Sequence, residues 1–232
     1  MSTAREARQL LRAHRYGGLC TLSKKFGGHP FGSIAPYLAD HDGSVLILIS
    51  TLAEHTKNIL HDPRVSLITH DQADPHIQSQ GRVTVVGKAQ IVTDREAAGQ
   101  RYLRYFPEAE TYFAMHDFSF YRIVPEAIRY IGGFGKIHWV DPENYIVVQA
   151  DKFAKQEESL LAEMNTRQQS VLSKLLRQRR GIEAVNALAI GLDCDGLDIR
   201  CGEQVWRLDF PEAIASPSLD ALALLETITG QG

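Results

Sequence analysis

The pattern of apolar and polar positions divides the chain into a long N-terminal part of short β-like runs and a shorter C-terminal part with a different pattern. The N-terminal runs are rich in β-branched and apolar residues and are separated by Gly, Pro and Asp turn signals. The predicted strands are Leu19 to Leu22, Gly32 to Leu38, Val45 to Ser50, Val65 to Thr69, Gly81 to Val92, Phe118 to Val124 and Ala127 to Ile131. Many strands with few intervening helices favour a barrel over a parallel α/β sheet.

Local signals refine this β part. The run from Val45 to Ile49 is continuously apolar, which predicts a strand buried on both faces, and the Asp42-Gly43 pair before it predicts a hairpin turn. Gly87 predicts a bulge or a sharp corner inside the longest strand. The Pro125-Glu126 pair predicts a tight connection between the last two strands.

Helical patterns flank the strands. A capping box of Thr3 and Glu6 predicts a first helix that ends before Gly17. A short helix is predicted from about Glu54 to His61, where Asp62-Pro63 stops it. Two further helical patterns cover roughly residues 94 to 106 and 108 to 115.

The pattern of apolar and polar residues changes around Asp141-Pro142. One long charged helix is predicted from Lys152 to Arg180 and ends at Gly181. A three-strand meander and a closing helix follow it, namely Val185 to Leu192, Leu197 to Arg200 and Gln204 to Phe210, with a turn at Asp195-Gly196, then Ser218 to Thr227. We therefore expect a barrel domain at residues 1–145 and a small α+β domain at residues 152–230.

Composition narrows the function classes. The 232 residues carry a net charge of -3 and a pI near 6.3, so there is no electrostatic reason to expect nucleic acid or a membrane surface as partner. No secretory signal and no apolar run of bilayer-spanning length is visible. The cysteines are sparse and odd in number, which suits a reducing compartment. The expected location is cytoplasmic.

Several common chemistries lack their motifs. The histidines form no His-Glu-x-x-His pattern and the cysteines no Cys-x-x-Cys pair, so no metal site is predicted, and Asp193-Cys194-Asp195 is interpreted as a turn. A Gly-x-Ser-x-Gly elbow is also absent, and no catalytic residue is assigned. The cluster from Gly132 to Lys136 lacks phosphate-loop spacing. It fits either a strand-end turn that needs positive φ or a backbone segment packed close to a ligand.

The most informative stretch runs from Ser50 to Leu60, where a buried strand leads into a short helix. The first N–H groups of a helix are unpaired and carry the positive end of its dipole. Thr56 and Lys57 add a hydroxyl and an ammonium group there, which together could cradle a phosphate. Plain capping with a solvated lysine is the alternative.

These residues resemble the FMN-binding split barrel of pyridoxamine-phosphate-oxidase-like proteins. The resemblance covers about residues 5 to 140 and is closest to the haem-utilisation (HugZ-like) branch. The general resemblance is carried by Ser50, Lys57 and Asn58 with the run Asp62 to Leu67, and by Arg82 to Ala89. The match to the branch rests on Leu52 to Asn58, on Asp117-Phe118 followed by Phe120-Tyr121, and on Gly132 to Gly135. The tail from about residue 152 is similar to a small α+β domain often appended to this branch.

The resemblance implies an FMN cofactor in a cleft between the two subunits of a homodimer. The phosphate would lie at His55, Thr56, Lys57 and Asn58. Ser50 would lie near the flavin ring, and Arg82 would reach the ring or the phosphate. Trp139 would cover the site from the partner subunit.

Departures from the family pattern limit the function. The arginine and lysine of the oxidase proper are missing from the strand that here reads Ser33 to Leu38, and its late arginine-histidine signature is absent, so pyridoxamine-phosphate oxidation is not expected. The first hypothesis is an FMN-dependent oxidoreductase of unknown substrate. A haem-binding or haem-degrading protein is the second, although the last histidine is His138 and no tail histidine could bind iron. The third is a non-enzymatic flavin-binding module.

Overall fold

The computed structural model describes residues 2–71, 76, 78–133 and 135–226. The chain divides into two compact units, Met1–Ile146 and Val147–Gly232, each with a core of its own.

The first unit is a curled antiparallel sheet with flanking helices. Its strands follow the order β2-β1-β5-β6-β7-β4-β3, with β8 paired to β7, and β2 also approaches β4. They are β1 (Tyr16–Leu22), β2 (Pro30–Pro36), β3 (Leu38–Ala39), β4 (Val45–Ser50), β5 (Arg64–His70), β6 (Gly81–Ile91), β7 (Phe118–Gly132) and β8 (Ile137–Val140). The helices are α1 (Thr3–Ala13), α2 (Glu54–His61), α3 (Arg95–Tyr105), α4 (Glu110–Phe113), preceded by a 3-10 turn at Pro107–Ala109, and α5 (Pro142–Tyr145). The split-barrel fold expected from the sequence is confirmed.

Strand alternation builds the core of this unit. Leu19, Leu67, Val83 and Val85 point inward from β1, β5 and β6 and are fully buried. Strand β4 is buried along nearly its whole length, as its continuous apolar run predicted. The turn before β4 contains Gly43 at φ 93°, which confirms the predicted hairpin turn.

Two local predictions in this unit are wrong. The N-cap of α1 is Ser2, whose hydroxyl accepts from the N–H of Arg5, so the predicted capping box at Thr3 and Glu6 is displaced by one residue. The predicted connection at Pro125-Glu126 does not exist, because β7 continues through it. Pro125 lies opposite Gly87 where the β6–β7 register shifts, and a bulge tolerates a residue that has no N–H to donate.

The second unit packs helices on a three-stranded meander. The strands are β9 (Leu188–Asp193), β10 (Gly196–Cys201) and β11 (Gln204–Asp209), in the order β11-β10-β9. The helices are α6 (Ala150–Arg167), α7 (Gln169–Arg180) and α8 (Ala221–Glu226), so the predicted position Thr227 lies outside the described residues. Asn165 fastens α6 to β9, since its amide both donates to and accepts from the backbone of Ala189.

The single long helix predicted over 152–180 is broken at Gln168, which has φ -128° and ψ 22°. The break lets Met164 on one segment and Leu172 and Leu176 on the next all reach the same core. Gly181 ends the second segment in the left-handed conformation, as predicted. Among the described residues, no helix is long and apolar enough to cross a membrane.

Candidate functional site

Helix α2 places most of the sequence-predicted site residues on the core side of β1 and β2. Its N-cap is Ala53, which supplies no side-chain cap, and it ends at Asp62 before Pro63. The uncapped first turn leaves backbone N–H groups to be satisfied from outside the helix. This local geometry is what an anion-binding helix end requires.

Ser50 fastens the end of β4 to the segment that leads into β7. Its hydroxyl donates to a carboxylate oxygen of Asp117 at 2.7 Å and accepts from the N–H of Leu52 at 3.1 Å. The side chain therefore holds the entry to α2 in place.

Two predicted phosphate ligands are enclosed by protein. Asn58 is fully buried and uses both ends of its amide, accepting from the N–H of Lys24 and donating to the hydroxyl of Thr21. Thr56 is also fully buried, and its hydroxyl has no hydrogen-bond partner among the described residues.

His55 and Lys57 lie closer to solvent. The Nδ1 of His55 is 3.1 Å from the hydroxyl of Ser33, and burial lowers the pKa of this histidine, which favours the neutral ring. The Lys57 ammonium is half exposed and 3.7 Å from a carboxylate oxygen of Glu54. Lys57 is thus the cation that a ligand at the first turn of α2 would meet.

Arg82 and Trp139 lie elsewhere, on the opposite face of the sheet. Arg82 is one residue before the inward-pointing Val83, and Trp139 is paired with Arg129, whose guanidinium lies 5.1 Å from the centre of the indole ring. In one chain, the structure therefore brings together Ser50, His55, Thr56, Lys57 and Asn58 but separates them from Arg82 and Trp139.

The strand register defines this second surface, which we call the outer sheet face. Directly opposed residues of antiparallel strands point to the same side. One row crosses six strands and a neighbouring row crosses four; they are Ile34, Gly18, Ile68, Thr84, Arg129 and Trp139, and then His70, Arg82, Ile131 and Ile137. Ile34 is 72% exposed and Trp139 64% exposed, so apolar side chains of this face are open to solvent on strands on either side of the two arginines.

His70, the last residue of β5, is not among the sequence-predicted site residues. Its Nδ1 lies 2.6 Å from the backbone carbonyl oxygen of Asp71 and 3.4 Å from the side-chain oxygen of Gln80. The available signal was the alternation of β5, in which Val65, Leu67 and Thr69 are buried and His70 therefore points outward with Ile68.

One group of potential metal ligands exists among the described residues, at Asp193, Cys194 and Asp195. Both carboxylate oxygens of Asp193 accept from the guanidinium of Arg207, at 2.7 and 2.8 Å, and Asp198 binds the same guanidinium at 3.0 Å. Asp193 is therefore part of a buried ion-pair network.

Comparison with known proteins shows the family to which the chain belongs. The family model for the CREG β-barrel matches residues 1–147, and the chain belongs to this family.

Relatives match across both units. The chain is 30% identical over 221 residues to haem oxygenase HOZ, a chloroplastic protein of Arabidopsis thaliana, a match that spans 91% of this chain and 68% of HOZ. A haem-binding protein from Mycobacterium smegmatis is 27% identical with a TM-score of 0.59, covering 100% of this chain and 99% of that one. A protein of unknown function from Agrobacterium tumefaciens has a TM-score of 0.78 at 23% identity, covering 95% of this chain and 93% of that one.

Proposed function

We propose that this protein binds haem, and that the outer sheet face carries the site. The observation that carries the proposal is the chemistry of that face, where the exposed Ile68 and Trp139 are three strands apart and Arg82 and Arg129 lie on the two strands between them. Haem combines a large apolar ring with two carboxylates, so it needs an apolar surface and nearby cations. The named haem proteins among its relatives, which match across both units, support the same conclusion.

Arg82 and Arg129 would pair with the propionates, and Ile68 and Trp139 would cover the ring. When bound, haem iron supplies oxygen chemistry, and the protein tunes it through the axial ligand, hydrogen bonds and burial. The relationship to a haem oxygenase extends the proposal to haem degradation when an electron donor is supplied.

The test is a haemin titration of the purified protein, followed by optical spectroscopy. We expect one haem per chain and a weaker complex for Arg82→Glu, because the substitution replaces attraction of a propionate by repulsion. Lys88→Glu is the matched control. It makes the same charge change on the same strand, about 20 Å along β6 at roughly 3.3 Å per residue.

Equal haem affinity for wild type and Arg82→Glu would show that the outer sheet face does not carry the haem site. Addition of a reductant in air to the complex then measures degradation. Loss of the haem absorption bands and appearance of an open-chain product is the expected result.

FMN is the second candidate, and the uncapped first turn of α2 favours it. Lys57 beside free N–H groups is suited to a phosphate, as the family resemblance implied. Replacing Lys57 by Glu should weaken FMN binding several-fold, because it places a negative charge next to a dianion. Fluorescence titration of FMN against wild type, Lys57→Glu and Lys88→Glu measures this. Equal affinities for all three proteins would exclude the α2 site.

A further inference from the structure

His70 has the geometry of a metal-binding histidine. A backbone carbonyl can only accept a hydrogen bond, so the 2.6 Å contact with the carbonyl of Asp71 places the proton of the neutral ring on Nδ1. The lone pair then resides on Nε2. Histidines that bind metals usually have their second nitrogen fixed in this way by a carbonyl or a carboxylate.

The surroundings of His70 suit haem in particular. The residue is half-buried and stands directly opposite Arg82, at a side-chain separation of about 5 Å for such a pair. Ile68 lies two residues earlier on the same face. A nitrogen donor, a cation and an apolar side chain are thus neighbours on the outer sheet face.

Three other histidines with hydrogen-bonded rings lack this combination. His55 lies on the core side of the sheet and its Nδ1 contacts the hydroxyl of Ser33. The Nε2 of His14 is engaged by a carboxylate oxygen of Asp71 at 3.1 Å. His29 has a similar carbonyl contact, 2.6 Å from Nδ1 to Phe26, but it is exposed and lies between β1 and β2, outside the outer sheet face.

Resting on the proposed haem function, we propose that the Nε2 of His70 is the axial ligand of the haem iron. The backbone carbonyl of Asp71 orients the ring, and Arg82 receives a propionate. The assignment gives the iron a ligand from the barrel, in a chain whose second unit contains no histidine.

The experiment compares haemin complexes of wild type, His70→Ala, His29→Ala and His116→Ala by optical and electron paramagnetic resonance spectroscopy. Far-ultraviolet circular dichroism and thermal unfolding of each variant verify the fold. We expect a histidine-ligated spectrum for wild type, His29→Ala and His116→Ala. For His70→Ala we expect loss of that spectrum, affinity weakened about tenfold or more, and restoration of the spectrum by added imidazole.

A ligand exchange keeps the proposal testable if His70→Ala does not fold. His70→Tyr should give a phenolate-ligated spectrum, since tyrosine is an established axial ligand of haem iron. Retention of the histidine-ligated spectrum by His70→Ala or His70→Tyr would overturn the ligand assignment and leave haem binding intact. Absence of any one-to-one complex with wild type would overturn both the assignment and the proposed function.

Discussion

Thr56 is a polar group enclosed without a partner among the described residues. A buried hydroxyl that lacks a hydrogen bond costs about 1–3 kcal/mol relative to one that is satisfied. Valine has nearly the same shape and the same branching at Cβ, so it would fill the same space. The site assignment from the sequence gives this hydroxyl a different role, as a ligand of the FMN phosphate.

We therefore predict that Thr56→Val raises the free energy of unfolding by about 1 kcal/mol, because it removes an unsatisfied polar group. Urea denaturation measures the effect. Thr21→Val is the control: the Thr21 hydroxyl accepts from Asn58, so this variant should be less stable than wild type. A destabilised Thr56→Val protein with weakened FMN binding would instead support Thr56 as a phosphate ligand.

The role of a side chain could be predicted from the sequence only where neighbouring residues in the chain determine it. The segment Glu54 to Asn58 could be placed on a helix from its neighbours alone, and the structure has that helix. The hydrogen bond from Asn58 to Thr21 joins residues 37 apart, and no local pattern reports such a contact. His70 could have been placed on the outer face by strand alternation, but its carbonyl partner could not.

At the scale of elements, the β6–β7 pair depends on a glycine. A Cβ atom on Gly87 would collide with the carbonyl oxygen of Val124 on the facing strand. Gly32 on β2 offers a contrast, because a Cβ atom there would meet no atom within 4 Å.

We predict that Gly87→Ala lowers the free energy of unfolding by about 2 kcal/mol or more, since the strands must separate at the bulge to admit the methyl group. Gly32→Ala should change it by no more than about 0.5 kcal/mol. Chemical denaturation of both variants tests the difference. Equal stabilities would mean that the bulge adapts freely, contrary to the close approach of the two backbones.

Element boundaries show which signals the sequence lacks. The helix break at Gln168 contains neither Gly nor Pro, and the apolar spacing continues across it, so no local signal predicts the break. Both segments contribute to the same core, which is a tertiary feature. Pro125 carries a strong local breaker signal that the long pairing of β7 with β6 overrides. Gly87, by contrast, was predicted to mark a bulge or a sharp corner, and the register does shift there, although the extra residue, Glu126, lies on the facing strand β7.

At the scale of the whole molecule, the outer sheet face is a feature of the first unit that needs an explanation. Its exposed isoleucines and tryptophan lie on a sheet whose opposite side is packed with core residues. Exposed apolar side chains that are gathered on one face of a sheet, among polar ones, often mark an interaction site. A haem bound there would also have one side open to water unless another surface covered it.

We propose that a second copy of the chain covers this face, as the family resemblance implied. In a twofold dimer each residue of the face occurs twice, so one substitution acts at two places.

We predict that Ile34→Glu shifts the protein from dimer to monomer, because it buries two unpaired carboxylates in the interface. Light scattering and sedimentation over a range of concentrations measure the mass. Ile91→Glu is the matched control, since Ile91 is 61% exposed but points away from the outer sheet face, and it should leave the dimer intact. Ile34→Glu should lose haem affinity together with its ability to dimerise, whereas the haem affinity of Ile91→Glu should stay unchanged. Two results would show that the outer sheet face is not the interface. One is a wild-type protein that is monomeric and still binds one haem per chain. The other is a dimer that Ile34→Glu does not weaken.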